Sequence, residues 1–193
     1  MRWIYAERRS EFWVALITAL TVVLVGVEQG IILAIVLSLL DHVRRGYRPK
    51  NSVIVAGDGR GWRALPVTQP LQVEPGLMIY RFTHSMYYAN AEQLSEQILA
   101  LAKNAEPRLS WFCIDASAVD DVDFSAAETL HSLHGILEEQ GIRLVFAEVM
   151  ADVKAESRDQ LKRLVEEGAI YATLDDVVAS YRRDVQNTRG QGL

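Results

Sequence analysis

The sequence predicts an α/β layer, a mostly parallel, mixed sheet packed by helices, preceded by a short transmembrane helical hairpin. Three observations carry this. Apolar, strand-like runs alternate with amphipathic helical stretches from residue 76 onward. The run "LSWFCIDAS" (109–117) is largely apolar, as expected of a central strand buried on both faces. Two uncharged runs, residues 12–27 and 30–40, lie near the N-terminus with basic residues on either side.

The N-terminal runs come first. Sixteen residues reach roughly 24 Å as a helix and eleven reach about 16 Å, both short of the ~30 Å hydrocarbon core. Taken as one helix, residues 12–40 would span about 43 Å and strand Glu28 inside it, at a cost of ~2–4 kcal/mol or more. A hairpin turning at Glu28, Gln29 and Gly30 avoids both problems, with Gly30 relaxing the backbone. "RRSEF" precedes the block and "HVRRGYRPK" follows it, so the positive-inside rule places both ends on one, cytoplasmic, side. The expected location is the cell (inner) membrane, multi-pass, with both termini and the C-terminal domain in the cytoplasm. Arms this short need other protein around them at membrane depth. A secretory leader would leave the second run unexplained, and a soluble helix pair conflicts with the near absence of polar residues in 12–27. The expected domains are a membrane hairpin at 1–46 (helices about 12–27 and 30–44), a linker and irregular β-hairpin at 47–75, an α/β domain at 76–183, and a flexible tail at 184–193.

Charge divides along the same line. Residues 1–50 hold seven basic and four acidic side chains, a net +3; residues 51–193 hold thirteen and twenty-one, a net −8. An acidic globule repels a phosphate backbone, which excludes nucleic acid as a partner. Cys113 is the single cysteine, so no internal disulfide framework forms.

In the second part, "SVIVAGDGRGWRALPV" predicts two short strands around a glycine turn. That glycine run lacks the Gly-Lys-Ser/Thr ending and the following helix of a phosphate loop. Strands are expected at 76–82, 109–117 and 142–149. Helices are expected at 90–105, with Leu94, Ile98 and Leu101 on one stripe, at 125–141 ending on Gly141, at 155–168, and at 173–184 with Thr173 as N-cap.

Three stretches, "SMYYANAEQL" (85–94), "WFCIDASAVDDVDFSAAETL" (111–130) and "GAIYATLDDVVASY" (168–181), resemble the STAS domain. This is the cytoplasmic module of sulfate-permease (SulP) family anion transporters, related to anti-sigma-factor antagonists. The hairpin resembles the last two membrane segments of those transporters. The resemblance covers residues 2–182. It implies the C-terminal part of a secondary inorganic anion transporter of the sulfate or bicarbonate type, with the STAS domain as a regulatory or interaction module. The family's anion site lies on helices upstream of the hairpin, so the chain is expected to be a fragment or late-start product without transport of its own. Expected partners are the parent's membrane domain, the lipid bilayer, the anion as the parent's substrate, a homodimer copy, and a kinase or other cytoplasmic regulator. No cofactor is expected. The alternative is a stand-alone, membrane-tethered regulator of the anti-sigma-factor-antagonist type, switched by phosphorylation at Ser125.

Ser125 occupies the loop–helix junction where regulatory STAS proteins carry a phosphorylatable Ser or Thr, with Asp120, Asp121 and Asp123 as loop neighbours. The residues alone support a plainer role: Ser125-x-x-Glu128 is a capping box. A phosphate there would meet the positive helix end but also those three carboxylates. The cluster that adds Asp115 reads as a solvated loop, because a magnesium site of the response-regulator kind would need further residues that Thr83-His84 and Glu148-Val149 do not supply. Asn90 with Gln93 repeats the capping-box pattern. Tyr87 and Tyr88 read as packing residues at the sheet–helix junction, or as contacts to the membrane domain. Glu128, His131 and His134 share a helix face but supply too few ligands for a di-metal centre. No nucleophile-elbow Gly-x-Ser-x-Gly occurs, so neither catalytic nor metal residues are expected.

Overall fold

The computed structural model describes residues 9–46, 51–57, 59, 61–149 and 169–191. The chain divides into two compact units, Met1–Arg48 and Pro49–Leu193.

The first unit is a pair of helices, α1 (Arg9–Leu24) and α2 (Val27–Gly46), that pack on each other. The reversal does not fall at Glu28, Gln29 and Gly30. It lies at Val25-Gly26, where Gly26 adopts φ +145°, a conformation that L side chains rarely take. Glu28 instead occupies the first turn of α2, where its carboxylate faces the positive end of the helix dipole. Gly30 lies two residues further along the same helix and is buried: a Cβ there would overlap the Val22 side chain, so its missing side chain lets the helices approach. Among the described residues, no helix is long and apolar enough to cross a membrane.

The second unit opens with the expected hairpin. Strands β1 (Ser52–Ala56) and β2 (Trp62–Pro66) are antiparallel, and the Gly57 N–H donates to the Gly61 carbonyl (2.9 Å) to close the turn. Then follow β3 (Leu77–Arg81), α3 (Tyr88–Lys103), β4 (Trp111–Asp115), α4 (Phe124–Glu139), β5 (Arg143–Ala147), β6 (Ile170–Tyr171) and α5 (Leu174–Gln191). The sheet order is β2-β1-β3-β4-β5-β6. Strands β3 to β6 are parallel and β1 is antiparallel to both neighbours, so the sheet is mixed as expected.

β4 is buried along its whole length, which is why its sequence does not alternate. Leu94, Ile98 and Leu101 enter the core as the helical stripe requires. Helix α4 ends in a Schellman motif: Gly141, at φ +73°, donates to the Glu138 carbonyl, and the Ile142 N–H reaches that of Leu137, both at 2.8 Å. Thr173 caps α5 in a true box, its Oγ1 accepting from the Asp176 N–H while Asp176 Oδ2 accepts from the Thr173 N–H, both at 3.1 Å.

The expected flexible tail needs correction, and one short strand has no counterpart in the sequence reading. The tail is helical through Gln191, because Asp184 accepts the Trp111 indole N–H (3.1 Å) and Val185 packs on the core, which anchors the extra turns. The two-residue strand β6 was not anticipated; Ile170-Tyr171 is too short for a periodicity to show. The helix expected at 155–168 and residues 47–50 of the linker lie outside the described residues.

Candidate functional site

The loops after β3 and β4 meet at the carboxyl edge of the parallel strands, where α/β folds build their sites. A parallel bridge joins Met86 to Val122: the Met86 N–H donates to the Asp121 carbonyl (2.8 Å) and the Asp123 N–H to that of Met86 (2.9 Å). Both helices that follow start from this bridge.

Asp123 is the centre of the arrangement. It is the N-cap of α4, with Oδ1 accepting from the Ala126 N–H (2.7 Å). Its Oδ2 accepts from the Tyr88 N–H (3.0 Å), at the first residue of α3. One carboxylate thus satisfies otherwise orphaned donors of two helices. The Ser125 capping box is therefore corrected. Aspartate two residues earlier takes the N-cap place, and Ser125 becomes the second residue of the helix, with an exposed side chain. Asn90 is corrected likewise: it is the third residue of α3, not its cap. Its Oδ1 accepts from the Tyr87 N–H and its Nδ2 donates to the Ser85 carbonyl, both at 2.9 Å.

The other carboxylates are engaged in the same loops. Asp120 accepts from the Ser85 hydroxyl. Asp121 accepts from the Tyr87 hydroxyl (3.3 Å) and the Val122 N–H (3.1 Å). Asp115 is not in a solvated loop: it is fully buried at the end of β4, paired with Arg81 at 2.7 Å and accepting from the Ser117 N–H at 3.0 Å. Register explains the pair, because Arg81 and Asp115 are neighbours across two adjacent parallel strands. Removing Arg81 would leave the buried Asp115 charge uncompensated, whereas Arg81 itself is partly exposed. On the same strand, burial pushes the Cys113 thiol well above its ordinary pKa, and the nearby carboxylates of Asp115 and Glu148 push it further.

Tyr87 and Tyr88 are not core residues. They are 44 % and 70 % exposed, and Phe124, the first residue of α4, is 71 % exposed. The bridge and the Tyr88–Asp123 bond bring all three to one edge. Sequence reading missed Phe124 and the two-helix role of Asp123; the available signal was an aromatic residue directly after an N-cap type. On α4, Glu128 and His131 are exposed and His134 is half-buried, and among the described residues no cluster of His, Cys, Asp and Glu could hold a metal ion.

The STAS domain family matches residues 69–177. The chain is 32 % identical over 182 residues to a probable sulfate transporter of Mycobacterium tuberculosis, covering 91 % of this chain and 32 % of the relative. It is 25 % identical over 173 residues to high affinity sulfate transporter 2 of Stylosanthes hamata, covering 83 % of this chain and 26 % of the relative. The chain therefore spans about a third or less of the length of these relatives. Among solved structures it is similar to the murine Slc26a9 anion transporter in the inward-facing state. The TM-score is 0.73 at 16 % identity, over 94 % of this chain and 30 % of that one. At that identity the likeness speaks to the fold.

Proposed function

The chain belongs to the STAS domain family, and from that premise we propose that it works as the C-terminal part of a secondary inorganic anion transporter of the sulfate or bicarbonate type. The helix pair sits at membrane depth among the carrier's other helices. The STAS unit lies at the cytoplasmic face and regulates the carrier by contact. The observation that carries this reading is the similarity to the mycobacterial sulfate transporter, which runs over 91 % of the chain and so through both units. The physics agrees. Trp13, Leu20, Val23, Ile31, Ile35 and Leu39 are exposed large apolar residues on helices too short or too polar to span lipid alone, so other helices must share the cover. The anion site belongs to those helices, and the loop carboxylates are committed to internal bonds rather than to chemistry.

Sulfate uptake into proteoliposomes tests the reading. The chain alone is expected to give none, and the chain joined to a membrane core from its relatives' N-terminal two-thirds is expected to give uptake. Uptake by the chain alone, or none by the joined protein, would overturn it.

One observation favours a second reading, a membrane-tethered regulator switched at Ser125: the hydroxyl is exposed in the first turn of α4 and is not needed as a cap. Asp120, Asp121 and Asp123 oppose a phosphate there. Intact-mass measurement of native protein decides the matter, since only unmodified mass under all growth conditions removes the switch.

A further inference from the structure

Three exposed aromatic rings on one loop pair are costly to leave in water, and here they have a charged border. Tyr87, Tyr88 and Phe124 crown the carboxyl edge of the sheet. Glu92 lies one helical turn after Tyr88 and Glu128 one turn after Phe124, both exposed, and the exposed Asp120 sits in the loop between. The helix N-termini beneath are already capped by Asp123, so the edge offers no cradle for an anion. Aromatic faces bordered by carboxylates instead suit a cation with an apolar stem, through cation–π contact at the centre and charge attraction at the border.

We propose that this edge is the docking surface for a basic juxtamembrane segment, rich in arginine or lysine, of the carrier's membrane domain. The proposal rests on reading the STAS unit as a cytoplasmic module beside that domain. Cytoplasmic loops of membrane proteins are enriched in Lys and Arg, which is the complement of a border of this sign and of the net −8 carried by residues 51–193. Docking buries the three rings, and the carboxylates select basic loops over phosphorylated or acidic ones.

The test titrates the full chain, in uncharged detergent, against a fluorescein-labelled peptide of alternating arginine and leucine, read by anisotropy. The control peptide carries glutamate in place of arginine. Saturable binding of the basic peptide only is expected. Tyr88→Ala with Phe124→Ala should weaken it about tenfold or more, as for central aromatic anchors. Glu92→Gln with Glu128→Gln should weaken it several-fold and flatten its salt dependence. Both pairs are at the surface, and unchanged circular dichroism verifies folding. Absence of binding, equal binding of both peptides, or indifference to the aromatic pair overturns the docking surface. Sulfate uptake by the joined transporter separates the two claims: uptake that persists without peptide binding sinks the surface alone, and peptide binding without uptake sinks the transport reading alone.

Discussion

A carboxylate that accepts N–H groups from two helices at once, as Asp123 does from Tyr88 and Ala126, fixes where both helices begin relative to each other. Its truncation strands two donors rather than one. Asp123→Ala is therefore expected to cost about 2 kcal/mol, the upper end for a single cap, and Asp123→Asn less, because an amide oxygen still caps one helix. Chemical denaturation followed by circular dichroism checks this; an alanine variant no weaker than an ordinary surface substitution would remove the double role. Cys113 makes a second residue-scale case. Its thiol is fully buried and its pKa is raised by burial first and then by Asp115 and Glu148, so it stays protonated and inaccessible at neutral pH. Iodoacetamide should label it only after denaturation. The sign of the pH effect follows: the unfolded thiol ionises at lower pH than the folded one, so its share of stability is fully present below the unfolded value and is lost as pH rises beyond it. Native labelling at pH 7, or stability unchanged at alkaline pH relative to Cys113→Ser, would contradict the assignment.

At the scale of elements, a glycine decides geometry where the sheet's central strands begin. Gly76 precedes β3 at φ +96°, and a Cβ there would run into the Tyr181 hydroxyl, which donates to the Pro75 carbonyl at 2.6 Å. Gly76→Ala should then destabilise by roughly 2–3 kcal/mol, combining left-handed backbone strain with displacement of a buried tyrosine. A thermal melt tests it, and a change below about 0.5 kcal/mol, the scatter of surface substitutions, would refute it. Such elements also show what the sequence could disclose. The apolar β4, the stripe of α3, the Gly141 stop and the Thr173 cap were legible because each is local: a run, a period or a capping residue. The hairpin turn was misplaced because a charge inside an apolar block looks like a turn, whereas a helix dipole accepts Glu28 and the true break at Gly26 depends on one dihedral. Asp123 and Asp115 read only as loop carboxylates, and Arg81 gave no signal of its own. Their pairings were hidden because each partner lies thirty-odd residues away, and only the sheet register, for Arg81–Asp115, or the Met86–Val122 bridge, for Tyr88–Asp123, brings it close.

At the scale of the whole molecule, two units of opposite character share one chain. The helix pair exposes many large apolar side chains, Val23 and Leu24 most of all, whereas residues 51–193 carry a net charge of −8 around a hydrophobic core. Contiguous exposed apolar side chains call for cover by lipid or protein, and a high net charge of one sign keeps the other unit dispersed. The full chain should accordingly need detergent or lipid to remain dispersed, and should form large assemblies when these are removed. A chain lacking Met1–Arg48 should elute from a sizing column as a small species in plain buffer. Its elution as a dimer would locate a homodimer contact on the STAS unit, and as a monomer would assign any self-association to the helix pair. A full-length chain that stayed monomeric in water would mean that the two helices cover their own apolar faces, and the proposal that further helices surround them would fall with that result.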